Sequence, residues 1–292
     1  AMKIAITAET TIDLPKPILQ EYEIITLPFT VVMGEEQGLD GEIGQKELFD
    51  YVAKTGKLPH TAAVNVFQFQ EFFREQLKTY DHVIHFSLSS KISAACNNAK
   101  QAIEDPEFAG KVDVIDTLSL STGIALLAIY GRKLANAGKT PTEIVEAVHE
   151  RIPNDQTSFV LETLDFLYKG GRCSRLAVFG ANLLKLKPQI LMNEGAMGPG
   201  KKYRGPIKKV IADYVEDTLT QFNNPDKSIV FITHTLTDEA NAEPVRERLI
   251  KAGFKRIEIT RAGGTIACHC GPNTLGILYL NDGAKRVFRP QI

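Results

Sequence analysis

Short runs rich in Ile and Val recur along this chain, at Lys3–Thr7, His82–Ser87, Val112–Asp116, Ser158–Leu161, Ser228–Thr233, Arg256–Thr260 and Gly276–Leu280, and several are continuous rather than alternating. A strand that faces water on one side alternates apolar and polar residues, whereas a continuous run is covered on both faces. Helical patterns lie between the runs. Val66, Phe69, Phe72, Phe73, Leu77 and Tyr80 fall on one stripe behind Asn65, a suitable N-cap. Ile207, Val210, Ile211, Tyr214, Val215, Leu219 and Phe222 repeat the spacing behind Pro206. Thr140-Pro-Thr-Glu143 opens another helix, with Thr140 as cap, Pro141 at the first position and Glu143 at the third. This alternation predicts α/β architecture, with parallel or mixed sheets flanked by helices.

A chain of 292 residues has room for about two domains. The polar stretch Arg151-Ile-Pro-Asn-Asp-Gln156 follows a complete helix and marks the expected seam, giving α/β domains over residues 2–155 and 156–292. The 34 Lys+Arg against 35 Asp+Glu exclude the basic excess of a dedicated nucleic-acid binder. Four cysteines make no disulfide scaffold and suit a reducing compartment. No secretory signal pattern opens the chain. The longest apolar stretches, such as Ile124–Tyr130, fall far short of the ~20 residues that cross a bilayer. A cytoplasmic protein is expected.

Five segments carry candidate chemistry. Gly195-Ala-Met-Gly-Pro-Gly-Lys-Lys202 superficially fits a phosphate-binding loop, but Lys202 stands where Ser or Thr must hold magnesium, and Tyr203-Arg-Gly-Pro206 delays the helix. The stretch Asn193–Gly205 reads instead as a turn or hairpin. Cys268-His269-Cys270 lacks the second Cys/His pair of a structural zinc site, and on an extended segment neighbouring residues point to opposite sides. No metal is expected. Phe86-Ser-Leu-Ser-Ser-Lys-Ile-Ser93 runs from a buried strand into a helix whose first residues are Ala94 and Ala95. That arrangement suits an anion at the helix N-terminus, and ordinary serine capping accounts for the same residues. Leu164–Arg172 ends in Gly-Gly-Arg, which reads either as a left-handed helix stop presenting Arg172 to an oxyanion or as a surface arginine after that stop. Glycines surround His269 from Gly263 to Gly276, so that it is either a core or turn histidine or the partner of a nearby serine. No Gly-x-Ser-x-Gly elbow is present.

In this order the segments resemble the DegV family, bacterial fatty-acid-binding proteins that include the FakB subunit of fatty acid kinase. Lys3-Ile-Ala-Ile6 with Thr10-Thr-Ile-Asp-Leu-Pro15 is similar to the family's opening strand and turn. Leu27-Pro28, Asp40-Gly41, Pro59-His-Thr61, Ser89-Ser-Lys-Ile-Ser93, Ile115-Asp116 through Gly123, Leu164 through Arg172, Lys187-Pro188, Lys202-Tyr-Arg204 and His269-Cys-Gly-Pro272 follow in sequence over nearly the whole chain. The resemblance implies a two-domain fold with an acyl chain buried between or within the domains. It implies a carboxyl end held at Thr61 and Ser93, with Arg172 and His269 near it. It also implies that the bound acid is presented to a separate ATP-dependent kinase subunit for acyl-phosphate formation, so that this chain is a lipid-binding subunit, with no cofactor and no complete active site of its own. Departures from the family pattern are Glu9-Thr10 for Asp-Ser, Ala62 and the residues after it for Ser-x-Pro-Ser, Ala94-Ala95 for Gly-Thr, Thr117 for Ser, and Asn273 for Gly.

Two other readings remain beside this one: a free-standing acyl hydrolase using Ser93 and His269, and a binding module for another small carboxylate. Phe166, Leu183, Leu184 and Met192 either line the acyl pocket or are plain core. Lys201, Lys202 and Arg204 form a basic set that either docks the kinase or is a solvated turn.

Overall fold

The expected strands form with ends displaced by at most two residues, within the usual scatter of element boundaries. The computed structural model describes residues 2–172, 175–176 and 185–290. The N-terminal half runs β1 (Ile4–Glu9), α1 (Lys16–Glu21), β2 (Ile24–Leu27), β3 (Thr30–Met33), β4 (Glu36–Leu39), α2 (Gln45–Thr55), β5 (His60–Ala62), α3 (Val66–Gln76), β6 (His82–Ser87), α4 (Ala95–Ala102), β7 (Val112–Asp116), α5 (Thr122–Asn136) and α6 (Pro141–Arg151). The rest runs β8 (Asp155–Gln156), β9 (Ser158–Val160), α7 (Asp165–Lys169), β10 (Lys187–Asn193), β11 (Ala196–Tyr203), α8 (Ile207–Gln221), β12 (Val230–His234), α9 (Glu243–Lys251), β13 (Ile257–Arg261), α10 (Gly264–Cys270) and β14 (Leu275–Leu280).

The first sheet, ordered β2-β1-β6-β7, is parallel throughout. Its two central strands are buried at every residue, and their buried polar side chains Thr7, Glu9, His85 and Ser87 hydrogen-bond one another. The second sheet, ordered β11-β10-β9-β14-β12-β13 with β8 beside β14, is mixed. A small antiparallel sheet, β4-β3-β5, carries Thr61. The expected helix starts appear as capping boxes at Asn65 with Gln68 and at Thr140 with Glu143.

Helix α5 explains how the halves hold together. It packs on β1 and β6 with one side and on β8 and β14 with another. Thr122 to Arg132 are therefore buried all round, and the apolar run Ile124–Tyr130 is an internal helix. A Cβ on Gly131 would come within 2.7 Å of the Phe86 ring, and one on Gly123 within 2.2 Å of Thr157 Oγ1, so these two glycines set how closely the helix approaches each sheet. One core results, joining Ile6, Ile84 and Phe86 through α5 to Phe159, Phe231 and Leu278. At the far end of this junction the Arg151 guanidinium, closing α6, binds Asp226 Oδ2 at 2.7 Å and Asp282 Oδ2 at 2.6 Å. No helix among the described residues is long and apolar enough to cross a membrane.

Two segments refine the sequence reading. Asn193 to Gly205 is a hairpin, closed by Glu194 and Gly195 at φ 50° and 87°. Both central residues being left-handed identifies a type I′ turn, and Met197 to Lys202 lie in a strand, not in a loop opening a helix. Cys268-His269-Cys270, expected to be extended, is instead the end of helix α10. The first N–H groups of that helix are satisfied from far away in sequence: Gly263 N donates to Asp13 Oδ1 and Gly264 N to Asp40 Oδ1, each at 2.9 Å. No local pattern reveals such a cap.

Candidate functional site

The serine-rich turn after β6 is held from below by a buried carboxylate. Glu9 Oε1 accepts from Ser87 Oγ at 3.1 Å and from the Leu88 N–H at 2.9 Å, while its Oε2 pairs with His85 Nε2. His85 Nδ1 is 2.8 Å from Thr7 Oγ1. Further along, Ser89 N donates to Ser119 O and Ser90 N to Asp116 Oδ1. The chain is thus fixed up to Ser93, whose Oγ accepts from the Ala95 N–H at 3.1 Å as α4 begins. That bond uses the Ala95 donor, so the first turn offers an anion less than its sequence suggested, with Ala94 exposed beside it. The Ser93 oxygen being occupied as an acceptor leaves its own O–H to donate.

Helix α7 ends where the double glycine predicts. Gly171 is left-handed at φ 73°, its N–H donates to Tyr168 O, and Arg172 N donates to Leu167 O at 3.1 Å. The two bonds together make a Schellman stop. The Arg172 guanidinium then folds back onto Gly170 O at 2.6 Å and reaches Ile92 O, next to Ser93, at 3.5 Å. A Cβ on Gly170 would come within 2.8 Å of His269 Nδ1, so glycine there lets α7 pack against α10.

His269 sits near the end of α10, with Nε2 3.2 Å from Thr61 Oγ1 on β5. Burial, reinforced by the neighbouring Arg172 charge, pushes the imidazole pKa down to about 4. His269 is therefore neutral at pH 7. Its ring-proton NMR shift is expected to stay flat between about pH 5.5 and 8, where an ordinary histidine titrates. A midpoint near the usual histidine value would refute a neutral imidazole.

Thr61, Ser93, Arg172 and His269, which come from four separate segments, line one cavity of about 50 Å³. That is room for a head group and little more. Its remaining wall is largely apolar, with Phe29, Leu88, Ile92, Leu167 and Met197. Leu120, Ile266 and Cys270 are shared with an adjoining cavity of about 30 Å³ that reaches Phe159 and Leu278. The two cavities lie on either side of Leu120, Ile266 and Cys270, at the junction between the sheets. Phe166 and Met192 are not part of this lining. Phe166 packs edge-on against Phe49, and Met192 faces a separate polar cleft. Leu167, next to Phe166, and Met197, opposite Met192 on the neighbouring strand, line the cavity of Thr61 and Ser93 instead. Leu183 and Leu184 lie outside the described residues.

The basic set lies elsewhere. Lys201 is four residues along β11 from Met197, roughly 13 Å by strand rise, and its Nζ pairs with Asp217 Oδ1 at 2.9 Å. Lys202 follows on the strand and Arg204 just past its end. The hydrolase arrangement is not assembled: His269 hydrogen-bonds Thr61 and not Ser93, and no carboxylate among the described residues hydrogen-bonds its ring. Cys268 and Cys270 flank His269 on a helix and face opposite sides, Cys268 toward Val31 and Leu48 and Cys270 into the main core. No group of three or more potential metal ligands is gathered among the described residues.

The model of an uncharacterised protein family, DegV, matches residues 3–282. A DegV domain-containing protein of Caldanaerobacter subterraneus is 31% identical over 285 residues, covering 95% of this chain and 98% of the relative. A fatty acid-binding protein of Thermotoga maritima is 29% identical over 283 residues, covering 94% and 96%. Among solved structures, a fatty-acid-binding DegV family protein from Thermus thermophilus superposes with a TM-score of 0.88 at 25% identity, covering 96% of this chain and all of that one. DegV of Bacillus subtilis, described as a fatty acid binding protein, gives 0.84 at 25% identity with the same coverage.

Proposed function

The chain belongs to the DegV family, and from that premise we propose that it binds a long-chain fatty acid and presents the carboxylate to a separate ATP-dependent kinase subunit. The observation that carries the binding step is the cavity where Thr61, Ser93, Arg172 and His269 meet, the rest of whose wall is largely apolar. A buried carboxylate needs hydrogen bonds or a counter-charge. The Ser93 O–H, the Thr61–His269 pair and the half-turned Arg172 guanidinium supply both. Each methylene buried beyond them contributes about 0.8 kcal/mol, so the tail supplies most of the affinity and the head group supplies orientation. Relatives and structural neighbours described as fatty acid binding support this reading.

In the transfer step the ATP site belongs to the partner. Arg172 is exposed at the cavity mouth, where a guanidinium can stabilise the charge that develops as the carboxylate is phosphorylated. The neutral His269 offers hydrogen bonding without a second positive charge. Lys201, Lys202 and Arg204 are the proposed docking set for an acidic face of the kinase.

Native mass spectrometry of the purified protein, followed by denaturing extraction, tests the binding step. The expected result is a stoichiometric mass increment that releases a long-chain fatty acid, and adding ATP with the kinase subunit is expected to convert it to the acyl phosphate. A protein that carries no lipid and takes up none when it is supplied overturns the reading and leaves a small-carboxylate module in its place. Release of free acid from an acyl ester by the isolated chain would instead establish a hydrolase.

A further inference from the structure

One hydroxyl in the cavity wall has nothing to bond. Thr265 lies on α10 four residues before His269, one helical turn away on the same face, and lines the same cavity. The residue is 3% exposed, and its Oγ1 has no hydrogen-bond partner among the described residues. A threonine within a helix usually turns its hydroxyl back onto the carbonyl four residues earlier. Here that residue is Arg261, the last of β13 and outside the helix, so the usual acceptor is not in place. The Thr265 carbonyl is occupied separately, by the Cys268 thiol. Phe29, Ile266, Cys270 and Leu120, which share the cavity with it, present no polar side chain other than a thiol that burial keeps protonated. Buried polar groups are almost always paired in folded proteins, and each exception calls for a specific cause.

We propose that Thr265 is a third hydroxyl of the head-group cradle, donating to the carboxylate of the bound acid beside Thr61 and Ser93. The inference rests on the reading that an acid's head group occupies this cavity. A carboxylate offers about four acceptor positions on its two oxygens, so the Ser93 hydroxyl and the Thr61–His269 pair leave room for one more donor. A staggered rotation about χ1 moves the threonine oxygen between wells without disturbing the backbone. Placed on the helix that also carries His269, this donor ties the seating of the carboxylate to the position of α10.

The test compares wild type, Thr265→Val and Thr265→Ser for binding of palmitic acid and of the uncharged cetyl alcohol, with the melting temperature of each lipid-free protein alongside. Valine keeps the shape and removes the donor. The expected result is a loss of about tenfold or more in affinity for the acid, a clearly smaller loss for the alcohol, and recovery in Thr265→Ser, because hydrogen bonds to charged groups are the stronger class. The lipid-free Thr265→Val protein is expected to melt no lower than wild type, since it no longer buries an unpaired hydroxyl. Unchanged affinity for the acid, or equal losses for acid and alcohol, overturns the role of Thr265 while leaving fatty acid binding intact. Failure of the wild type itself to bind palmitic acid overturns the site reading instead.

Discussion

Replacing Thr61 with Val and Ser93 with Ala together is expected to lower affinity for a long-chain fatty acid by about 10²- to 10⁴-fold, while affinity for the corresponding alcohol falls far less. The estimate follows from two hydrogen bonds to a charged group, each contributing about 1.5–3 kcal/mol when its donor is lost inside a water-poor cavity. Thr61 acts in company with His269, whose Nε2 it meets at 3.2 Å. Because His269 is held neutral, the pair offers dipoles and no net charge, and its removal is felt most by a charged ligand. Ser93 carries a second duty as the acceptor for Ala95 N. The substitution there also removes that turn bond leading into α4, at a cost of about 1 kcal/mol of stability. A melting curve separates that cost from the binding loss, and isothermal titration with acid and alcohol reads the binding. Equal losses for the two ligands would mean that Thr61 and Ser93 shape the cavity without recognising a carboxylate.

Three of the four residues of that cavity were legible one at a time from a local signal: Ser93 in a serine-rich turn after a strand, Arg172 after a glycine stop, and His269 among glycines. Thr61 was indicated only by the family resemblance. Their meeting was implied only by the order of the motifs, since β5, the turn before α4, the end of α7 and α10 come together through tertiary packing. What the sequence hid has a common physical origin. Helix α10 is capped by Asp13 and Asp40, more than 200 residues earlier in the chain, so a run that looks like a glycine-rich turn becomes helical. Without that helix, Thr265 and His269 have no visible reason to share a face. Phe166 and Leu167 illustrate a finer limit. A five-residue helix has too little periodicity to say which of two adjacent apolar residues points inward.

The departures from the family pattern have local explanations of the same kind. Glu9, in place of aspartate, has the reach to bond His85 on the neighbouring strand and the Leu88 N–H at once. It therefore anchors the start of the serine turn. Asn273 stands where glycine is common and has φ 58°, a conformation that asparagine tolerates better than other side chains. Its amide adds bonds that glycine cannot make, accepting from Thr237 N and Oγ1 and donating to Glu162. Both replacements keep the backbone path and add side-chain ties near the cavity.

Arg151 is the residue whose loss should most damage the fold itself. Its side chain is 3% exposed, its guanidinium lies over the Tyr130 ring at 4.5 Å, and it binds both Asp226 and Asp282. Arg289 reaches the same two carboxylates, at 3.2 and 2.6 Å, but is half exposed. In Arg151→Ala the buried Asp282 carboxylate keeps only that weaker counter-charge. Breaking a buried ion pair from one side costs about 3–5 kcal/mol, and with Arg289 still present the low end of that range applies. For a chain of this size the expected fall in Tm at neutral pH is roughly 6–12 °C. The sign of the pH dependence follows from the native pairing. Although burial alone opposes ionisation, the Ser228 N–H and Arg151 hold Asp226, and Arg151 with Arg289 holds Asp282, below the usual aspartate range. Their contribution is thus fully present above the unfolded aspartate pKa of about 3.9 and is lost as pH falls through the lower native values. The gap between wild type and Arg151→Ala should therefore be widest near pH 7 and narrow as the solution is acidified below about pH 4, where the stranded carboxylates take up protons. A double-mutant cycle with Asp282→Asn isolates the pair, since removing both charges should cost less than the separate losses combined. A Tm within about 2 °C of wild type at neutral pH, or a gap that does not shrink in acid, would show that the cluster does not lock α6 to the second sheet.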